Sequence, residues 1–212
     1  MTNHETSAAV NYVALGDSTG AGVGAKQGGG YVARLFTRIE REHANARLTN
    51  LCVSGADTDD LIRDQLERGI KAQPTLVTIG IGINDVGHSL TVERFSRNYE
   101  EIVKRLKAQT SATIIISNIP DISYAPAVPA NMRDPVNGQI KLFNERIGEI
   151  AARYDMQVVD VYTPTREVVA HHPEFFSDDG FHPSDAGYEY WAKTMWPAVK
   201  SAIESSATNE DR

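Results

Sequence analysis

Two rhythms of apolar and polar residues alternate along this chain. Tyr12-Val13-Ala14-Leu15 is a short apolar run that breaks at Gly16 into a polar turn, which reads as a buried strand and its exit. A stretch holding Gly20, Gly22, Gly24 and Gly28 to Gly30 follows, and then Tyr31, Leu35 and Ile39 recur at helical spacing. Leu48 to Val53 predicts a second strand ending at Ser54-Gly55, after which Asp57 or Thr58 can cap a helix carrying Leu61, Ile62 and Leu66. Thr75 to Ile81 is nearly all apolar, as a strand covered on both faces should be, and Asn84-Asp85 is expected to terminate it.

The alternation continues to the end. Phe95, Tyr99, Ile102, Val103 and Leu106 mark a long amphipathic helix, and Ala112 to Ser117 a fourth strand. Pro120, Pro126, Pro129 and Pro135 are expected to hold a long segment out of regular structure. Ile140, Phe143, Ile147, Ile150 and Tyr154 give another helix, and Gln157 to Val161 a fifth strand. Ser184 can cap a last helix through Trp191 and Met195, which Pro197 is expected to kink or restart. Five strands, each followed by a helix or loop, predict an α/β fold: a doubly wound three-layer α/β/α sandwich with a five-stranded parallel sheet in the order 2-1-3-4-5. No repeat or linker divides the chain. A single domain over 1–212 is expected, with its core at about 10–204 and flexible tails at 1–9 and 205–212.

Composition narrows the function classes. At 212 residues the chain can bury a large core. Its 28 Asp and Glu outnumber 21 Lys and Arg, for a net charge of −7 with no basic block, which argues against a nucleic-acid partner. The longest apolar run, Leu76 to Ile83, is too short and too glycine-broken to span a bilayer, so no membrane partner is expected. Met1 to Asn11 is polar and lacks the apolar core of a signal peptide. The lone Cys52 excludes an internal disulfide and suits a reducing compartment, so a cytoplasmic location is expected. Cys52 itself reads as a small core residue.

The candidate chemistry sits at strand ends. Ser18 lies at the carboxyl edge of the first strand, the edge where open α/β sheets bind ligands. The predicted strand order places the first and third strands at the switch point, so Ser18 and Asn84 should approach each other. A serine hydroxyl needs a base to become a nucleophile. His182 is the candidate, with Asp179 three residues earlier and able to accept its other ring N–H.

Gly16-Asp17-Ser18, Gly55 after the second strand, Gly82-Ile83-Asn84-Asp85 after the third, and Asp179-Gly180-Phe181-His182-Pro183 resemble, in order, the blocks of the GDSL-type, or SGNH, serine hydrolases. The resemblance runs from Tyr12 to the last helix and implies the flavodoxin-like SGNH hydrolase fold. Thr19 stands where the family name has leucine, outside the chemistry. The resemblance implies a serine esterase working through an acyl-enzyme, with Ser18, Asp179 and His182 as catalytic residues. It implies an oxyanion hole of the Ser18 N–H, the Gly55 N–H and the Asn84 side-chain amide, with no metal or organic cofactor. A glycine suits position 55 if the backbone must come close to the reacting atoms. Asp17 is expected to support its turn, and Asp85 to bond within its loop.

Two other readings compete. His171, His172, Asp178, Asp179 and His182 could ligate a metal, although no helical His-x-x-x-His spacing supports it. Gly20-Ala21-Gly22-Val23-Gly24-Ala25 matches a dinucleotide-binding pattern, but Asp17-Ser18-Thr19 separates it from the strand, and no acidic residue ends the second strand. A flexible rim beside the site is the plainer reading of those glycines. The partner is expected to be a small acyl ester. Carboxylic esters, O-acetylated sugars, thioesters, lysophospholipids and acyl transfer to an alcohol remain open on the same site. Specificity should lie in Gly20 to Gly30, Ile119 to Pro135 and Tyr162 to Phe176, and with no lid-like helix or broad apolar groove evident, short acyl chains are favoured.

Overall fold

A computed structural model describes residues 9–169 and 171–210. Five parallel strands, β1 (Asn11–Gly16), β2 (Arg47–Asn50), β3 (Leu76–Gly80), β4 (Thr113–Ser117) and β5 (Gln157–Val159), form one sheet in the order β2-β1-β3-β4-β5. The register pairs Gly16 with Gly80, so β1 and β3 end level with one another at the switch point.

Helices cover both faces. Helix α1 (Ser18–Ala21) is a single turn after β1, and α2 (Tyr31–Glu42) follows the glycine-rich stretch. Between β2 and β3 run α3 (Thr58–Asp60), a π-helical turn over Leu61–Leu66, and α4 (Glu67–Lys71). Then come α5 (Ile83–Gly87), α6 (Val92–Gln109), α7 (Arg133–Arg153), α8 (Tyr162–Val169) and α9 (Asp185–Glu210). One core packs the side chains of α2 and α9 (Tyr31, Leu35, Ile39, Tyr188, Met195) on Tyr12, Ala14 and Ile115 of the sheet. The other packs those of α6 and α7 (Phe95, Tyr99, Phe143, Ile147) on Val13, Leu15, Val77 and Ile79. The odd and even positions of β1 thus serve opposite faces, which is why its run is apolar throughout.

Several expected boundaries move, each for a local reason. The second strand stops at Asn50, not Val53, because the Asn50 side chain accepts from Cys52 N–H and donates to Gly20 O. Leu51 and Val53 N–H still donate to Ala14 and Gly16 carbonyls, so the segment follows β1 without a regular ladder. The fifth strand stops at Val159, because Asn118 Oδ1 takes the N–H groups of Val161 and Tyr162. Asn84-Asp85 opens a helix instead of merely ending a strand, with Gly82 as its cap. The irregular proline segment ends before Pro135, which falls in the first turn of α7, where no N–H is needed. Helix α9 continues through Pro197 and through the expected tail as far as Glu210. Of the tails, residues 1–8 and 211–212 lie outside the described residues.

Candidate active site

Two segments far apart in sequence, one carrying Ser18 and the other Asp179 and His182, meet at the carboxyl edge of the sheet. Asp17 leaves β1 and caps α1, its carboxylate accepting from Thr19 N–H at 2.9 Å and from the Thr19 hydroxyl at 2.7 Å. Ser18 is therefore the first residue of α1, where a backbone N–H has no acceptor within the helix. Its hydroxyl lies 3.1 Å from His182 Nε2. On the other side of the ring, His182 Nδ1 is 2.6 Å from Asp179 Oδ2. With Nδ1–H donating to the carboxylate, Nε2 is left as the acceptor for the serine proton.

Asp179 is fixed in that role by its own loop. Its Oδ1 accepts from Ser177 Oγ at 2.9 Å, Phe181 N–H at 2.8 Å and His182 N–H at 2.9 Å. Burial alone would raise the carboxyl pKa, but the bonds from His182, Phe181 and Ser177 outweigh it and hold the group well below the usual carboxylate range. Asp17 goes the other way. It is 3% exposed, and burial pushes it up to about 6 against the Thr19 bonds and the pull of His182.

The glycine-rich stretch is a packed brace behind the histidine loop, which corrects the expectation of a flexible rim. A Cβ at Gly24 (φ +89°) would stand 2.8 Å from both Pro183 O and Ser177 Oγ, so only glycine fits there. The Tyr188 hydroxyl donates to Val23 O at 2.6 Å, and Gln27 N–H and the Arg34 guanidinium both donate to Asp185. With Gly22 also packed against Gly30, these glycines serve chain packing, and no phosphate cradle opens at Gly20-Ala25.

Gln65 contributes what the sequence reading did not single out. From the π-helical turn its buried amide spans both backbone groups of Gly16, accepting from Gly16 N–H at 2.9 Å and donating to Gly16 O at 2.8 Å. It thereby fixes the strand end two residues before Ser18. The available signal was a glutamine adjoining the apolar stripe of Leu61, Ile62 and Leu66, where a polar residue on the inner face must have a partner.

Gly55 and Asn84 lie on adjoining loops. Asn84 Nδ2 donates to Ala56 O at 2.8 Å, which ties the amide to the residue after Gly55. Gly55 has φ +81°, and a Cβ there would meet nothing within 4 Å. That left-handed backbone is one that side chains other than glycine rarely adopt.

Against Ser18, Thr19 and His182 opens a pocket walled by Ile81, Ile83, Ile119, Ile122, Phe181 and Trp191. Its wall comes from Ile119–Ile122, Val161–Thr165, Phe175–Pro183 and the start of α9. Two of the three expected specificity segments supply it, while Gly20 to Gly30 does not. An apolar recess is thus present where none was evident in sequence, because its residues come from loops and helices far apart in the chain.

Four of the five residues of the metal reading are separately engaged. His172 Nδ1 pairs with Glu174 at 2.8 Å, Lys26 with Asp178 at 2.8 Å, and Asp179 with His182. No cluster of three or more metal-ligating side chains occurs among the described residues, and none of their helices is long and apolar enough to cross a membrane. Cys52 is a free thiol that burial pushes well up, consistent with a core residue.

A family model described as GDSL-like Lipase/Acylhydrolase matches residues 14–190. The chain is 26% identical to the Bacillus subtilis protein YpmR, over 93% of this chain and 85% of that one. It is 22% identical to Esterase TesA of Pseudomonas aeruginosa, over 94% of this chain and 92% of the other. Among solved structures, TesA superposes with a TM-score of 0.74 at 23% identity, covering 91% of this chain and 99% of that one. A catalytic mutant of an acetylxylan esterase from Geobacillus stearothermophilus superposes with a TM-score of 0.74 at 22% identity, covering 88% and 92%. These solved structures share the fold.

Proposed function

The chain belongs to the GDSL-like Lipase/Acylhydrolase family and is a hydrolase acting on ester bonds, and on that premise we propose that it cleaves short-chain acyl esters through a Ser18 acyl-enzyme. The observation that carries the reading is the continuous relay from Asp179 Oδ2 through His182 to Ser18 Oγ. Ser18 Oγ attacks the acyl carbon while its proton passes to His182 Nε2, and Asp179 supports the imidazolium that forms. The carbonyl oxygen becomes anionic and accepts from the N–H groups of Ser18 and Gly55 and from the Asn84 amide. Collapse breaks the ester C–O bond, and the departing alkoxide takes the proton back from His182. Water then repeats the sequence on the acyl-enzyme, with no cofactor involved.

The acyl chain enters the apolar pocket beside Ser18. Each methylene buried there is worth about 0.8 kcal/mol until the wall is met, so acetyl should not be the best chain. The expected optimum is a short chain longer than acetyl, after which longer chains clash or stay in water. Thioesters of the same acyl groups are the second reading, since the pocket selects the acyl part and leaves the alcohol or thiol side open.

Nitrophenyl esters graded from acetyl to palmitoyl, with matching thioesters and an acetylated sugar, test this reading. A maximum in kcat/KM at intermediate chains supports it. A maximum at palmitoyl above micelle formation moves the assignment to a lipase, and activity confined to acetylated sugar removes the pocket from the argument.

A further inference from the structure

Asp85 follows Asn84 in the chain, yet its side chain turns inward and is fully buried. No cation meets it. Thr58 N–H donates to its two oxygens at 3.2 and 3.1 Å, and the Thr58 hydroxyl donates to Oδ1. The same hydroxyl accepts from Asn98 Nδ2 at 3.0 Å, and Asn98 belongs to α6, one of the core helices. Two further bonds flank this one. Asn84 Nδ2 donates to Ala56 O at 2.8 Å, and His88 Nδ1 is 3.0 Å from Asp57 Oδ2. Residues 56, 57 and 58 are therefore each joined to the loop and helix that hold Asn84.

A buried carboxylate without a cation is an expensive way to join two loops, because an apolar pair of similar volume would avoid the desolvation. Hydrogen bonds fix distance and direction in a way that apolar contact does not, and here they act on two loops that must agree in position. One loop carries the Gly55 N–H and the other the Asn84 amide. A Cβ at Gly55 would meet nothing within 4 Å, and the residues that follow it, 56–58, are the ones bonded to the Asn84 loop. The bond to Ala56 O uses one N–H of Asn84 and leaves the other to point elsewhere.

We propose that Thr58 and Asp85 are positioning residues for the oxyanion hole: their bond sets the Gly55 loop against Asn84 so that the two donors converge on one oxygen. The inference rests on the Ser18 esterase reading. It adds that the hole is preorganised from α6 through Asn98, Thr58 and Asp85, none of which touches substrate. Because the donors matter most when the oxygen is anionic, loosening the clamp should lower kcat and leave KM nearly unchanged.

Steady-state kinetics on one nitrophenyl ester, with thermal melting of each variant, test the proposal. Thr58→Val keeps the size and the backbone N–H but removes the hydroxyl. It should lower kcat by roughly 10- to 100-fold with KM within about threefold, while Thr58→Ser restores most of the rate. Asp85→Asn keeps an acceptor and should be milder than Thr58→Val, and it supplies the same reading if the valine variant does not fold. Asn84→Ala should cost about 10²–10³ in kcat. In that background Thr58→Val should cost less than about threefold more, since groups acting through one hole fail together. An unchanged kcat in Thr58→Val and Asp85→Asn overturns the proposal, as does an undiminished effect of Thr58→Val in the Asn84→Ala background. Failure of the esterase reading is seen separately, as activity that survives Ser18→Ala.

Discussion

Replacing Gln65 by leucine isolates the part of the scaffold that holds the end of β1, two residues before Ser18. Leucine fills most of the glutamine volume, so the cavity contribution is small and the change is chiefly in hydrogen bonding. The Gly16 N–H loses its acceptor in a buried setting, which costs about 1–3 kcal/mol. Gly16 O loses the Gln65 donor but keeps Val53 N–H at 3.1 Å, so that loss is nearer the ordinary value of about 1 kcal/mol. Together the substitution should destabilise by roughly 2–4 kcal/mol, a fall in Tm of roughly 5–15 °C for a chain of this size. Ser18 is two residues on, so kcat should fall by at least about tenfold even where the protein remains folded. Calorimetry and steady-state kinetics on the same preparations measure both. Gln65→Glu is the informative companion: its protonated form can make both bonds, so its raised pKa gives stability that is present at low pH and lost as pH rises through that pKa. A Gln65→Leu variant within about 0.5 kcal/mol of wild type and fully active would refute the reasoning, because the backbone of Gly16 would then be satisfied by other means.

Two further outcomes follow from the site. His182→Ala should be about as damaging as loss of the serine, whereas Asp179→Ala should cost ~10²–10⁴ in kcat, since the ring keeps its place but loses its orienting acceptor; full activity in Asp179→Ala would contradict the relay. Asp17, which burial pushes up to about 6 from the ordinary carboxylate value near 3.8, binds its proton more tightly when folded, so its part of the stability is full at low pH and is lost as pH rises from about 4 to 6. Asp17→Asn removes that slope, and its stability relative to wild type should rise by ~2 kcal/mol between pH 4 and pH 7; equal slopes in urea titrations of both would contradict it.

What the sequence made legible was local and periodic. The alternation of Tyr12–Leu15, Tyr31–Ile39 and Thr75–Ile81 predicted the strand order, because apolar rhythm and right-handed crossovers leave few arrangements. The blocks holding Ser18, Gly55, Asn84 and His182 were legible because each follows a strand or precedes a helix. Boundaries set by single side chains were not: Asn50 and Asn118 end their strands by bonding backbone that a longer ladder would have used. The brace of Gly22–Gly30 against the histidine loop joins residues about 160 positions apart, as the Gln27 bond to Asp185 does at a separation of 158. No pattern within one segment reports such a contact. The pocket wall escaped for the same reason, since Ile81, Ile119, Val161 and Phe181 each look like ordinary strand-end or loop residues until the sheet brings them together.

The central claim is that Ser18 is the nucleophile, and locating a covalent adduct tests it most directly. A fluorophosphonate probe, followed by mass spectrometry of the digested protein, should place one adduct on the peptide containing Ser18, with labelling abolished in Ser18→Ala and much slowed in His182→Ala. An adduct on another residue, or undiminished labelling of the Ser18→Ala variant, would contradict the account.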